Sequence, residues 1–179
     1  KTSRRAIITD IHHSSLTGKF VMIRVDLNVP VTAIQDLMMT RKMSAELGHH
    51  HTWIVMNDAK IRAILPTVDY LTKAGAKVVL CSHMGRPPKD LPEDERIRSK
   101  YSLHNTLYKL SHYLDNNLNF AEDCIGNDRE QKMSQMRGGD ILLLENTRFH
   151  SPEEENNDPG FAHALATGID IFVMDAFAS

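Results

Sequence analysis

Short apolar runs alternate along the chain with segments whose apolar residues recur at helical spacing. Phe20 to Val25 (FVMIRV) has almost no polar alternation, the pattern of a strand covered on both faces. Ile61, Ile64, Leu65, Val68 and Leu71 share one face of a helix that Asn57 or Asp58 can cap and Gly75 can end. Pro66 falls inside this helix and predicts a kink or a break. Lys77 to Ser82 reads as the next strand. Ser102 caps a second helix with Leu103, Leu107, Leu110 and Leu114 inward. A short strand over Asn119 to Glu122, a helix over Asp128 to Met136 ended by Gly138-Gly139, and a strand over Ile141 to Leu144 follow. Pro159 to Thr167 reads as a helix ended by Gly168, and Asp170 to Met174 as the last strand. Such alternation predicts an α/β domain of three layers: a parallel sheet with helices on both faces.

Residues 31 to 56 break this rhythm, since a strand-to-helix connection usually takes a few residues. Thr32 to Leu47 can form a helix with Ile34, Leu37, Met38, Arg41 and Ala45 near one face, followed by His49-His50-His51 and Trp53. Pro87 to Lys100 and Ser151 to Gly160, the latter with Glu153-Glu154-Glu155, read as solvated loops.

Composition narrows the function classes. The 179 residues suffice for one domain with a real core, and 41% hydrophobic with 25% charged residues fits a globular protein. A net charge of -2 gives no general pull toward nucleic acid or anionic membranes, so neither is an expected partner. No apolar run can span a bilayer, and the N-terminal segment has basic residues but no apolar core of a secretory signal. A cytoplasmic location is the expectation. Cys81 and Cys124 lie in or beside apolar runs and read as reduced core thiols. The histidine triplet has no cysteine or carboxylate at ligand spacing, and adjacent side chains in a loop diverge, so no metal site is expected.

The polar residues gather where strands end. In open parallel sheets, ligands bind beyond the carboxyl ends of the strands. Asp26-Leu27-Asn28, His83-Met84-Gly85-Arg86, Glu145-Asn146-Thr147-Arg148 and Asp175 follow the first, second, later and last of these strands. If the strands are parallel, His83, Arg86 and Arg148 converge on one rim, with Asn28 as a neutral donor. That rim suits a small phosphorylated or carboxylated ligand, because guanidinium forks bind such anions at two points. Asp26 would bond a ligand hydroxyl or orient an arginine, and Gly85 lets the loop turn tightly.

Six motifs carry a family resemblance: RVDLNVP (24–30), NDAKIRAILPT (57–67), SHMGRP (82–87), KYSL (100–103), LLLENTRFH (142–150) and DAFAS (175–179). In this order they resemble the N-terminal domain of phosphoglycerate kinase. The resemblance implies a Rossmann-like domain, here residues 1–179, with an insertion at about 31–56. It implies 3-phosphoglycerate or 1,3-bisphosphoglycerate as the ligand, with Asp26 and Asn28 on the glycerate and His83, Arg86 and Arg148 on the phosphate and neighbouring charge. It also implies a second domain that binds Mg-ATP or Mg-ADP for glycolytic phosphoryl transfer. No cofactor is expected on this chain itself, and the nucleotide domain is expected to be absent from it.

Two departures stand out. The family has an arginine that stabilises the transferring phosphoryl group at the position of Lys60, and lysine lacks the planar fork. Glycine is usual where Ala178 stands. Two readings follow. One is a phosphoglycerate kinase, or a divergent one, of which this chain alone could bind only the glycerate substrate. The other is a non-catalytic protein that keeps the domain as a docking block in a larger, for example cytoskeletal or ciliary, assembly. In that reading the methionine-bearing segment 31–56, with Met38, Met39 and Met43, meets a protein partner.

Overall fold

A computed structural model describes residues 12–33, 53–114, 117–150, 154 and 156–176. Five strands form one sheet: β1 (Phe20–Val25), β4 (Lys77–Cys81), β5 (Leu118–Ala121), β6 (Ile141–Leu144) and β7 (Ile171–Asp175). Their order is β5-β6-β4-β1-β7 and every pairing is parallel. Ile23 pairs with Leu80 on one side and with Val173 on the other, which places β1 between β4 and β7.

Strand alternation divides the core in two. Val21, Ile23, Val25, Val78, Leu80, Ile141 and Leu143 face one layer. That layer holds α1 (Ala59–Lys73) through Ile61, Val68 and Leu71, and α3 (Leu107–Tyr113) through Leu110. Met22, Val79, Cys81, Leu142 and Leu144 face the opposite layer. There α4 (Asn127–Gln135) supplies Met133 and α5 (Pro159–Ala166) supplies Phe161. The expected three-layer α/β architecture is therefore the observed one. Cys81 and Cys124 are free and buried, as their apolar surroundings predict.

Local details depart from expectation. Pro66 lies inside α1, and the helix continues past it to Lys73 without a break. Asn57, rather than Asp58, supplies the side-chain cap, with Oδ1 accepting from Ala59 N at 2.9 Å. Thr32 and Ala33 are not helical. They belong to β2 (Val31–Ala33), which pairs antiparallel with β3 (Trp53–Val55), because β-branched and aromatic residues fit a ladder. Trp53 thus starts a strand, and its Nε1 donates to the carbonyl of Arg98 at 3.0 Å. The remainder of the expected inserted helix, with Met38, Met39, Met43 and His49-His50-His51, lies outside the described residues. The stretch read as a solvated loop from Pro87 contains a short helix, α2 (Glu93–Arg96). Ser102 caps a 3-10 turn (Leu103–Thr106) that leads into α3, with its side chain accepting from His104 N.

Candidate functional site

The parallel strands do bring their polar ends together. A cavity of ≈ 590 Å³ is walled by Asp26 and Asn28 after β1, Lys60 from α1, His83, Gly85 and Arg86 after β4, and Arg148 after β6. All six residues singled out from sequence line it. Asp175 ends β7, and nothing in the cavity wall comes from that strand.

The loops are fastened to one another. Asn28 Oδ1 accepts from Gly85 N at 2.9 Å, so its Nδ2 donors are what it can offer a ligand. Its own backbone N–H donates to Asp26 Oδ1 at 3.0 Å. Buried Ser82 accepts from Leu27 N and donates to the carbonyl of Val25, at 2.9 and 2.8 Å, tying β4 to β1 below the site. Gly85 has φ +58, and a Cβ there would lie 2.8 Å from Tyr101 Cδ1. Both the left-handed backbone and the close ring demand glycine.

One residue that the sequence analysis did not single out completes the cationic wall. Arg24 sits on β1 with its side chain toward the cavity. Its Nη2 lies 3.2 Å from His83 Nδ1, and its Nη1 donates to Thr147 Oγ1 at 3.3 Å. A guanidinium only donates, so Nδ1 accepts, and neutral His83 carries its proton on Nε2. Burial pushes the His83 imidazole below its ordinary value, and the Arg148 and Arg24 charges push it further the same way. The signal for Arg24 was present: it is the single charge in an otherwise apolar strand.

Two carboxylates balance the cations. Lys60 Nζ approaches Asp26 Oδ2 to 2.7 Å, so the side chain paired with Asp26 is a lysine rather than the expected arginine. Glu154 reaches in from the acidic tract. Its carboxylate lies 3.3 Å from Arg148 Nε and 3.7 Å from Arg24 Nη2, bridging two guanidiniums. Arg148 also donates from Nη1 to the carbonyl of Gly85 at 2.7 Å.

Asp123, Cys124 and His150 form a mixed donor set away from this cavity, with ligand atoms all within 4.8 Å of one another. His150 Nε2 and Asp123 Oδ1 already engage each other at 2.7 Å, and burial pushes the Cys124 thiol well up. The half-buried His150–Asp123 pair ties the chain after β6 to the chain after β5. No helix among the described residues is long and apolar enough to cross a membrane.

An α/β domain whose parallel strands end in guanidinium, imidazole and carboxamide groups around one hollow has the chemistry to hold a small anion. Its relatives place that domain in a family. The sequence profile of the phosphoglycerate kinase family matches residues 47–179. A phosphoglycerate kinase of Synechococcus sp. (strain JA-2-3B'a(2-13)) is 42% identical over 92% of this chain and 36% of its own length. The chloroplastic phosphoglycerate kinase of Chlamydomonas reinhardtii is 40% identical over 96% of this chain and 32% of its own. The crystal structure of phosphoglycerate kinase from Pyrococcus horikoshii OT3 superposes with a TM-score of 0.68 at 29% identity, covering 96% of this chain and 36% of that one. This chain belongs to the phosphoglycerate kinase family. It spans about a third of the length of the curated relatives it matches.

Proposed function

We propose that this chain is the glycerate-binding domain of a phosphoglycerate kinase and that its cavity takes 3-phosphoglycerate or 1,3-bisphosphoglycerate. The observation that carries this reading is the convergence of Arg24, His83, Arg86 and Arg148 with Asp26 and Asn28 on one hollow. A phosphate is bonded by Arg86, Arg148 and the Nε2–H of His83, while Asn28 Nδ2 and Asp26 meet the glycerate oxygens. Phosphoryl transfer itself depends on positioning and charge neutralisation between two bound partners. The Mg-ATP or Mg-ADP partner belongs to a second domain outside this chain, so binding and orienting the glycerate is the share of these residues. Lys60 faces the reacting end. Its single ammonium, committed to Asp26, lacks the fork that bridges several phosphoryl oxygens, so transfer is slower than with arginine there.

That same ion pair favours a second reading, a non-catalytic member that retains the domain as a docking block through the 31–56 segment. Titration calorimetry with 3-phosphoglycerate separates the two. Saturable heat at millimolar ligand or below, lost in Arg86→Ala, is the expected result. No heat would leave only the docking reading.

A further inference from the structure

We propose that Asn146 is the positioning residue of the anion site: its carboxamide locks the loop after β4 to the loop after β6, so that Arg86 and Arg148 meet the ligand at a fixed spacing. Asn146 is 1% exposed. Its Nδ2 donates to the carbonyls of Met84 and Tyr101, each at 2.8 Å. Its Oδ1 accepts from Met84 N at 3.2 Å and from Arg148 N at 3.0 Å. A carboxamide has two donor hydrogens and two lone pairs, and all four are used.

The partners explain why this matters to a ligand. Met84 is gripped at both its N–H and its carbonyl, and it lies between His83 and Gly85-Arg86. Tyr101 is the residue whose ring packs on Gly85. Arg148 is held at its backbone by Asn146 and at its guanidinium by the carbonyl of Gly85. One side chain thus sets three segments in register, each carrying or bracing a cationic group.

Asn146 is itself anchored. Its N–H donates to Glu145 Oε1 at 2.7 Å, and that oxygen also accepts from Leu103 N at 2.8 Å. Glu145 Oε2 accepts from Ser102 Oγ at 2.6 Å. No apolar or single-bond residue at 146 can reproduce this clamp. A misplacement of about 1 Å between groups that act together can cost about a hundredfold.

The inference rests on the proposed glycerate site, and the test separates the two. Affinities for 3-phosphoglycerate, whose phosphate takes both arginines, and for unphosphorylated glycerate, which meets only Asn28 and Asp26, are measured by NMR titration on the wild-type chain and on Asn146→Ala, well below the unfolding midpoint of each. The variant is expected to lose about tenfold or more in 3-phosphoglycerate affinity while glycerate affinity stays within about twofold. Equal losses for both ligands, or no loss for either, overturn the positioning role, whatever the change in stability. A wild-type chain that binds no 3-phosphoglycerate overturns the glycerate reading instead. If Asn146→Ala does not fold, Asn146→Ser, which puts one hydroxyl where the carboxamide stood, carries the same comparison.

Discussion

His83 is the residue whose charge state the site most directly controls. Burial and two neighbouring guanidiniums favour its neutral form, so its folded pKa lies below the ordinary 6.5. An imidazole that the fold prefers neutral contributes stability above the unfolded value, and this is lost as pH falls through 6.5 to the folded value. An NMR titration should therefore place the His83 midpoint below 6.5, and a midpoint at or above it contradicts the contact with Arg24. Glu154 makes a second prediction at this scale. Its carboxylate lies against both Arg24 and Arg148, where a ligand anion would compete with it. Glu154→Gln should tighten 3-phosphoglycerate binding by about two- to fivefold, the range of a half-exposed ion pair. Weaker binding in that variant would mean that Glu154 supports the arginines rather than competing for them.

Elements, not single residues, decide where these groups stand, and α4 and α5 show how. Arg129 on α4 is fully buried, with Nη1 donating to the carbonyl of Ala164 and Nη2 to those of Leu165 and Thr167, at 3.0, 2.9 and 2.9 Å. These are the orphan carbonyls at the end of α5, and a cation there also suits the helix dipole. Arg129→Ala leaves the Leu165 and Thr167 carbonyls without this donor in an apolar layer and should cost about 3 kcal/mol, read as a lower urea midpoint. A loss under about 1 kcal/mol would show that water reaches this layer. Sequence periodicity could not reveal this tie, because Asn127–Gln135 is polar nearly throughout and its arginine looks like any solvated charge. The same limit hid Glu154, which a run of three glutamates disguises as solvated loop. The five sheet strands and the helices α1, α3 with the 3-10 turn that leads into it, α4 and α5, by contrast, were legible to within one or two residues, since both faces of the sheet need apolar runs, whereas the one-turn α2 was read as loop. The antiparallel β2–β3 pair was missed because three-residue strands leave no period to read.

Across the whole molecule, parallel pairing is what turns scattered motifs into one site. Asp26, His83 and Arg148 are separated by long stretches of chain, yet each follows a strand whose carboxyl end points the same way. That convergence was legible because strand ends could be located from apolar runs and a parallel sheet inferred from the alternating helices. Arg24 escaped because it lies within a strand rather than after one, and Asn146 because three of its four bonds reach residues distant in sequence. Glycerate binding should therefore perturb loops far apart in sequence together and leave the opposite end of the sheet unchanged. The most direct test is an amide NMR titration of this chain with 3-phosphoglycerate. Shifts concentrated at Asn28, Gly85, Arg86 and Arg148 are predicted, with Gly75 and Gly139 at the far end of the sheet unmoved. Shifts centred on Glu93, Glu122 and Asp123, which line a separate cavity, or no shifts at saturating ligand, would contradict it.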